Sequence, residues 1–191
     1  DEGSLNAIIA LIGGSGTGKS QSMAAAQVFL PLGPDSIDLD HYGLGSGEGL
    51  IEAFLEDVTE RDQNGKKTVI KRQTRARALF VADEGQVLAE IGNRKGATIL
   101  PTIRSTWSGT QLGQSNASVD RKRHLDAHSY RTVIILGLQP GNAAAVLDDA
   151  AGGTPQRFWW LTTIDPAIPD RAPPEPEPIQ WTPRTVIGHS A

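Results

Sequence analysis

Eight residues, Gly13-Gly14-Ser15-Gly16-Thr17-Gly18-Lys19-Ser20, constrain this chain more than any other feature. They satisfy the pattern G-x-x-x-x-G-K-[ST] and stand between an apolar segment, Ala7 to Ile12, and an Ala-rich stretch, Ser20 to Leu30, that Pro31 stops. Such a loop needs glycine because peptide N–H groups must curl around phosphate oxygens with no Cβ in the way, while the following helix turns its positive end toward the anion. Lys19 is then expected on the β and γ phosphates and Ser20 on Mg²⁺, which makes ATP and Mg²⁺ the expected cofactors. A Gly-rich turn matching the pattern by accident would not require a strand before it and a helix after it.

The rest of the chain alternates in the same way. Apolar runs bounded by Gly, Pro or charge read as buried parallel strands, and stretches with apolar residues three and four apart read as covering helices, so the expected class is α/β. The expected strands are Ala7 to Ile12, a short Ser36 to Leu39, Ala78 to Ala82, Thr132 to Leu138 and Phe158 to Thr162. Helices are expected from Gly49 to Thr59, where Leu50, Phe54 and Leu55 share a face opposite Glu52, Glu56 and Glu60, and over Gln86 to Ile91. Two more are expected, from Thr98 or Pro101 to Trp107 and over Ala143 to Leu147, with Gly152-Gly153 closing the last. Thr68 to Lys71 is expected to pair with Ala76 to Ala82, after a turn at Asn64-Gly65. Seven of the twelve Pro lie between Pro166 and Pro183, so the expected division is a phosphate-loop domain over 1–164 and an extended Pro-rich tail over 165–191.

A polyphosphate site needs carboxylates beside the metal, at the end of a neighbouring strand. Leu79-Phe80-Val81-Ala82-Asp83-Glu84 supplies four apolar residues and then two acids, a Walker B pattern. Asp83 is expected to orient Mg²⁺ through water and Glu84 to polarise an attacking water; a helix start favouring acids is the simpler alternative. Gln139, ending the strand Thr132 to Leu138, is a candidate sensor of the γ-phosphate, and Arg157 a candidate arginine finger in its own subunit or a neighbour's.

The phosphate loop, Ser46-Gly47-Glu48-Gly49-Leu50, Asp83-Glu84, Trp107-Ser108-Gly109, Leu138-Gln139-Pro140 and Gln156-Arg157-Phe158 occur in one order over roughly residues 5 to 163. In that order the chain resembles the RecA-like P-loop helicase ATPases of phages, plasmids and integrated elements, often fused to a primase-polymerase domain. The resemblance implies a RecA-like fold with a mainly parallel central sheet flanked by helices. It also implies DNA unwinding or loading during replication by a homo-oligomer, as in a hexameric ring on single-stranded DNA, with a primase-polymerase domain in the same or a partner chain. In some RecA-like ATPases the water-activating acid follows the second strand, which makes Glu48 the rival of Glu84. The chain departs from the pattern in reaching a Pro-rich tail soon after Arg157 and in lacking a primase segment.

Composition narrows the partners. The 18 Lys and Arg stand against 22 Asp and Glu, a net charge of −4, so a wholly basic nucleic-acid coat is excluded. Local basic groups remain: Arg121, Lys122 and Arg123 in a polar stretch between Gly109 and Tyr130, and Lys66, Lys67, Lys71, Arg72, Arg75 and Arg77 before the Walker B strand. Solvated faces are the alternative for both. There is no Cys, which removes disulfides, thiolate metal sites and thiol catalysis. No apolar run reaches the ~20 residues of a membrane span, and Asp1-Glu2-Gly3-Ser4 lacks a basic leader, so a cytoplasmic protein without a membrane partner is expected, cut as a domain from a longer polypeptide. Two other functions fit a phosphate loop: a small-molecule or protein kinase, and a nucleotide-switched interaction module with little turnover. The acid pair disfavours the module, and the lack of an Arg-rich lid disfavours the kinase.

Overall fold

Aliphatic runs too short to span a helix bury their backbone polar groups by pairing side by side, and here they do so in parallel. The computed structural model describes residues 4–29, 41–61, 65, 67–82, 98–114, 123–167 and 174–180. Five strands, β1 (Ala7–Ile12), β2 (His41–Tyr42), β5 (Arg77–Ala82), β8 (Arg131–Leu138) and β9 (Trp159–Thr162), form one sheet in the order β2-β5-β8-β1-β9. Every neighbouring pair in it is parallel. Two antiparallel hairpins lie apart from that sheet, β3 (Leu55–Arg61) with β4 (Lys67–Gln73) and β6 (Leu112–Gln114) with β7 (Arg123–Leu125). The α-helices among the described residues are α1 (Lys19–Phe29), α2 (Gly47–Glu52), α3 (Ile99–Ser108) and α4 (Pro140–Leu147).

Register fixes which face of the sheet is core. Ile8 pairs with Ile134 and Ile134 with Phe80, and all three are essentially sealed from water. Ala10 and Leu136 form the next buried row, and the cluster continues through Leu50, Phe54, Ile99, Ile103 and Tyr130. Residues of the other parity, Ile9, Leu11, Val133, Ile135, Leu79 and Val81, are only half-buried. Strands expected to be buried on both faces thus alternate. At the entry edge, buried Asn6 donates its amide to the Thr106 carbonyl and accepts from Thr132 N–H (2.8 Å), tying α3 to β8.

The expected helix from Gly49 to Thr59 is a correction. Ser46 caps α2 by accepting from Gly49 N–H (2.9 Å), and the helix stops at Glu52. Beyond Phe54 the chain turns to strand because Glu56, Asp57 and Glu60 gain opposite charges across a hairpin. Asp57 stands opposite Lys71 and Glu56 opposite Arg72 in the register, and the ion pairs include Lys71 to Asp57 (2.9 Å), Arg72 to Glu60 and Arg75 to Glu56 (3.6 Å). The pairing expected between Thr68–Lys71 and Ala76–Ala82 is replaced by this one, so the turn around Gly65 (φ 78°) connects Thr68 to the segment before it. α4 ends at Leu147, ahead of Gly152-Gly153, and runs into a 3₁₀ turn over Asp148–Ala150.

Other expectations keep their place with shifted ends: α1 begins one residue earlier, α3 ends at Ser108 with Gly109 left-handed (φ 68°), and β9 starts at Trp159. Trp160 stacks on Phe158 (5.2 Å) and donates to the Pro155 carbonyl (2.9 Å), whereas Trp159 is exposed. Residues 174–180 form neither helix nor strand, and Ile179 N–H donates to the Phe29 carbonyl (2.7 Å) at the end of α1. The expected strand Ser36 to Leu39 and helix Gln86 to Ile91 lie outside the described residues.

Tyr130 reports on how tightly this core closes. Its hydroxyl donates to the Thr110 carbonyl (2.6 Å), its ring lies 5.7 Å from that of Phe54, and burial pushes its pKa up to about 12 from 10.0. Lys71 is also raised from 10.5, by the Asp57 and Glu52 carboxylates it contacts. Both groups hold their protons more tightly folded than unfolded, so their contribution is present below about pH 10; that of Tyr130 is lost as pH rises from 10.0 toward about 12, and that of Lys71 as pH rises past 10.5. Tyr130→Phe is expected to cost about 1–2 kcal/mol near neutrality, from the carbonyl left unpaired. It should also flatten the alkaline fall in stability measured by urea unfolding; an alkaline slope equal to that of the unaltered protein would exclude this account.

Candidate phosphate-binding site

In a parallel sheet every strand ends at the same edge, and ligands of α/β proteins gather there. Ile12, Leu138 and Thr162 lie at one level, since Ile12 is in register with both of the others. Gly13 leaves β1 at this edge with its N–H on the Leu138 carbonyl (3.1 Å), while Thr163 N–H donates to the Ile12 carbonyl (2.9 Å). A Cβ on Gly13 would stand 2.1 Å from Thr163 Oγ1 and 2.2 Å from Thr17 Oγ1, so only glycine fits. Those two hydroxyls are 2.9 Å apart, and Thr17 donates to the Gly14 carbonyl (3.0 Å), so the loop is braced against the end of β9.

The loop backbone has positive φ at Gly16 (74°) and Gly18 (88°), conformations that let successive peptide N–H groups line one concavity. α1 follows at once, with Ser22 N–H on the Gly18 carbonyl (2.8 Å). The first N–H groups of any helix lack intrahelical acceptors, and no acidic side chain in the first turn of α1 offsets its positive end. Lys19 Nζ lies over the loop, donating to the carbonyls of Gly13 (2.7 Å) and Gly14 (2.6 Å). A cradle of this shape and charge fits a polyphosphate. For Mg²⁺, Ser20 sits in the first turn of α1, and among the described residues no three or more His, Cys, Asp or Glu gather into a metal site. Asp83, the second expected ligand, and Glu84 lie outside the described residues, directly after Ala82 of β5.

The other candidates divide by position. Gln139 follows the Leu138 that pairs with Ile12, which brings it level with Gly13; its carbonyl accepts from Asn142 N–H (2.9 Å), and its side chain makes no cap bond. Glu48 is held elsewhere, accepting from Thr98 Oγ1 (2.9 Å) and lining a cavity of about 150 Å³ with Thr102, Ser105, Gln111 and Arg123, none of them from the phosphate loop. Arg157 precedes β9 and so lies at the opposite edge of the sheet, bonded to the Gly153 carbonyl with its guanidinium 5.5 Å from the Trp107 ring centre. Arg123 is committed to Glu52, which Lys71 also contacts (2.9 Å); Arg121 and Lys122 lie outside the described residues.

Sequence reasoning missed the segment Thr163-Ile164-Asp165. With Gly16, Thr17, Gly18, Gln21, Ser22 and Ala25 it lines an open groove of about 670 Å³ running from the phosphate loop along α1. The available signal was the parallel alternation itself, which sends the residues after Thr162 to the same edge as the loop. Comparison with known proteins finds no family model that matches the chain and no curated protein that matches it. No helix among the described residues is long and apolar enough to cross a membrane.

The two leading glycines should respond differently to a methyl group. Gly13→Ala forces Thr17 and Thr163 apart and is expected to cost about 1–3 kcal/mol, whereas at Gly14 the nearest atom to an added Cβ is 3.7 Å away and Ala should be nearly neutral. Chemical denaturation of both variants is the check; equal losses would mean that the brace to β9 does not hold the loop.

Proposed function

We propose that this chain is an ATP-hydrolysing P-loop domain of RecA-like type, working on DNA as part of a replicative helicase or primase-helicase of a mobile element. The observation that carries the ATPase reading is the braced glycine loop at the positive end of α1, with Lys19 lying over it. The RecA-like and replicative parts of the proposal rest on the ordered resemblance of the short segments. The position of Gln139 beside Gly13 supports a sensor role, and the lack of an Arg-rich lid in the sequence disfavours a kinase.

In this reading the loop N–H groups and Lys19 bind the β and γ phosphates, and Lys19 exchanges its two loop carbonyls for phosphate oxygens. Ser20 and Asp83 hold Mg²⁺, which when bound neutralises charge on the phosphoryl oxygens. Glu84 accepts a proton from the attacking water, its rival Glu48 being bonded to Thr98 away from the loop, and Gln139 orients that water. DNA contact falls to Arg121 and Lys122 of the stretch between Gly109 and Tyr130, while Arg123, Lys71, Arg72 and Arg75 are paired with acids of this chain. The working unit is a homo-oligomer, as in a hexameric ring on single-stranded DNA, with a primase-polymerase domain alongside.

Lys19→Ala should keep the fold, as judged by circular dichroism, and lower Mg²⁺-dependent ATP hydrolysis by ~10²-fold or more. Single-stranded DNA at low salt should raise the rate of the unaltered protein. Glu84→Gln should bind ATP without turnover, and full turnover there would transfer the proton-accepting role to Glu48. Hydrolysis that survives Lys19→Ala would sink the ATPase reading, and Lys19-dependent hydrolysis indifferent to DNA would sink the motor reading alone.

A further inference from the structure

The groove beside the phosphate loop is larger than a triphosphate requires, and its two ends differ in charge. Gly16, Thr17 and Gly18 line it where the loop leads into the positive end of α1. Gln21, Ser22 and Ala25, three and four residues apart, form a single face of α1 along one wall. The segment that leaves β9 also lines the groove, with Thr163 bonded into the loop and Ile164 and Asp165 lying farther along the chain. Ile164 is 63% exposed, an apolar side chain lining the groove. The segment is held in place by two local bonds, Ile164 N–H to Thr162 Oγ1 (3.1 Å) and Ala167 N–H to Asp165 Oδ1 (2.9 Å). A volume of about 670 Å³ leaves room for a whole small molecule lying along this open groove.

These features rank the two ends of any ligand. An anion is favoured over the loop and disfavoured beside the Asp165 carboxylate, so a polyphosphate with an organic end lies with its organic end toward Asp165. A carboxylate only accepts hydrogen bonds, so what faces it must carry O–H or N–H donors. An apolar side chain next to it suits the face of a planar ring. A triphosphate alone satisfies the first end and leaves the second empty; a nucleoside triphosphate fills both.

We propose that Ile164 and Asp165, with Gln21 across the groove, form the nucleoside-binding end of the site, Ile164 contacting the base and Asp165 accepting from a ribose hydroxyl or the base amino group. This rests on the nucleotide-binding reading of the loop and adds to it the residues that tell a nucleoside triphosphate from bare polyphosphate. Thr163 ties the two ends together, because the same segment that carries Asp165 braces the loop through Thr17.

Calorimetric titration with MgATP and with magnesium tripolyphosphate separates the two halves. Asp165→Ala, and independently Ile164→Ser and Asp165→Asn, should weaken MgATP by about fivefold or more, the effect of one lost hydrogen bond or apolar contact. Tripolyphosphate should stay within about twofold. Lys19→Ala should weaken both ligands. With unaltered protein, loss of affinity for 2′-deoxy-ATP assigns the Asp165 partner to the ribose, and loss for inosine triphosphate assigns it to the base amino group. Equal binding of MgATP and tripolyphosphate, or parallel loss of both in the Asp165 and Ile164 variants, overturns the inference while leaving the phosphate loop standing. Binding of neither ligand by the unaltered protein overturns both.

Discussion

The peptide of Gly13 is held between two parallel neighbours, and the geometry of the site follows from that. Its N–H reaches β8 at Leu138, and the carbonyl before it receives the N–H of Thr163 from beyond β9. This requires β1 to be an interior strand with a parallel partner on each side, ending at the same level as both. A slip of one residue would turn Ile8 and Ala10 away from the core and bring Ile9 and Leu11 into it in their place, so the buried row Ile8, Ile134 and Phe80 locks the register. Core packing thus sets the loop's position, and the absent Cβ of Gly13 lets two threonine hydroxyls close over it.

How much of this could be read in the residues depends on the range of the interaction. The loop, its strand and its helix are local: the glycines, Lys19 and Pro31 act within a few residues of where they stand, and β1 falls where the apolar run does. The neighbours of β1 are not local. Nothing in Thr132 to Leu138 or Phe158 to Thr162 says that they flank Ala7 to Ile12, so the alternation sends the residues after Thr162 to the loop's edge without saying that Thr163 meets Thr17 there. The segment after Gly49 was misread for a related reason. Leu50, Phe54 and Leu55 do suit one helical face, but Glu56, Asp57 and Glu60 meet Lys71, Arg72 and Arg75 only when the chain is extended, and those partners lie well beyond the helix. Asp83 and Glu84 stand apart from this comparison, since they lie outside the described residues.

The basic groups changed meaning through the same hairpin. As a string of letters, Lys71 to Arg77 is a cationic patch; folded, three of its members face carboxylates on the adjoining strand or helix. Glu52 is the junction. It ends α2, where the helix dipole disfavours an acid, yet it contacts both Lys71 of β4 and Arg123 of β7. Two cations that could have served a phosphate backbone instead join a helix and two hairpins, and the free positive potential is correspondingly smaller than the composition of those segments suggests. Salt dependence of any DNA binding then reflects few phosphate contacts.

Arg157 carries the same lesson to the opposite edge. Trp159 pairs with Ile9 and Thr162 with Ile12, so the length of β9, roughly 13 Å of strand from Trp159 to Thr163, separates the start of the strand from the loop. Arg157 lies before that start, with its guanidinium against Trp107 and a bond to the Gly153 carbonyl. From there its side chain does not span the distance to a phosphate held in its own loop. A charge-compensating role for Arg157 therefore demands a second subunit whose loop edge meets this subunit's entry edge, a head-to-tail contact of the kind that closes into rings. Without such a contact, Arg157 joins Trp107 and Gly153 as part of the packing that fixes where β9 begins, and through β9 where Thr163 meets the loop.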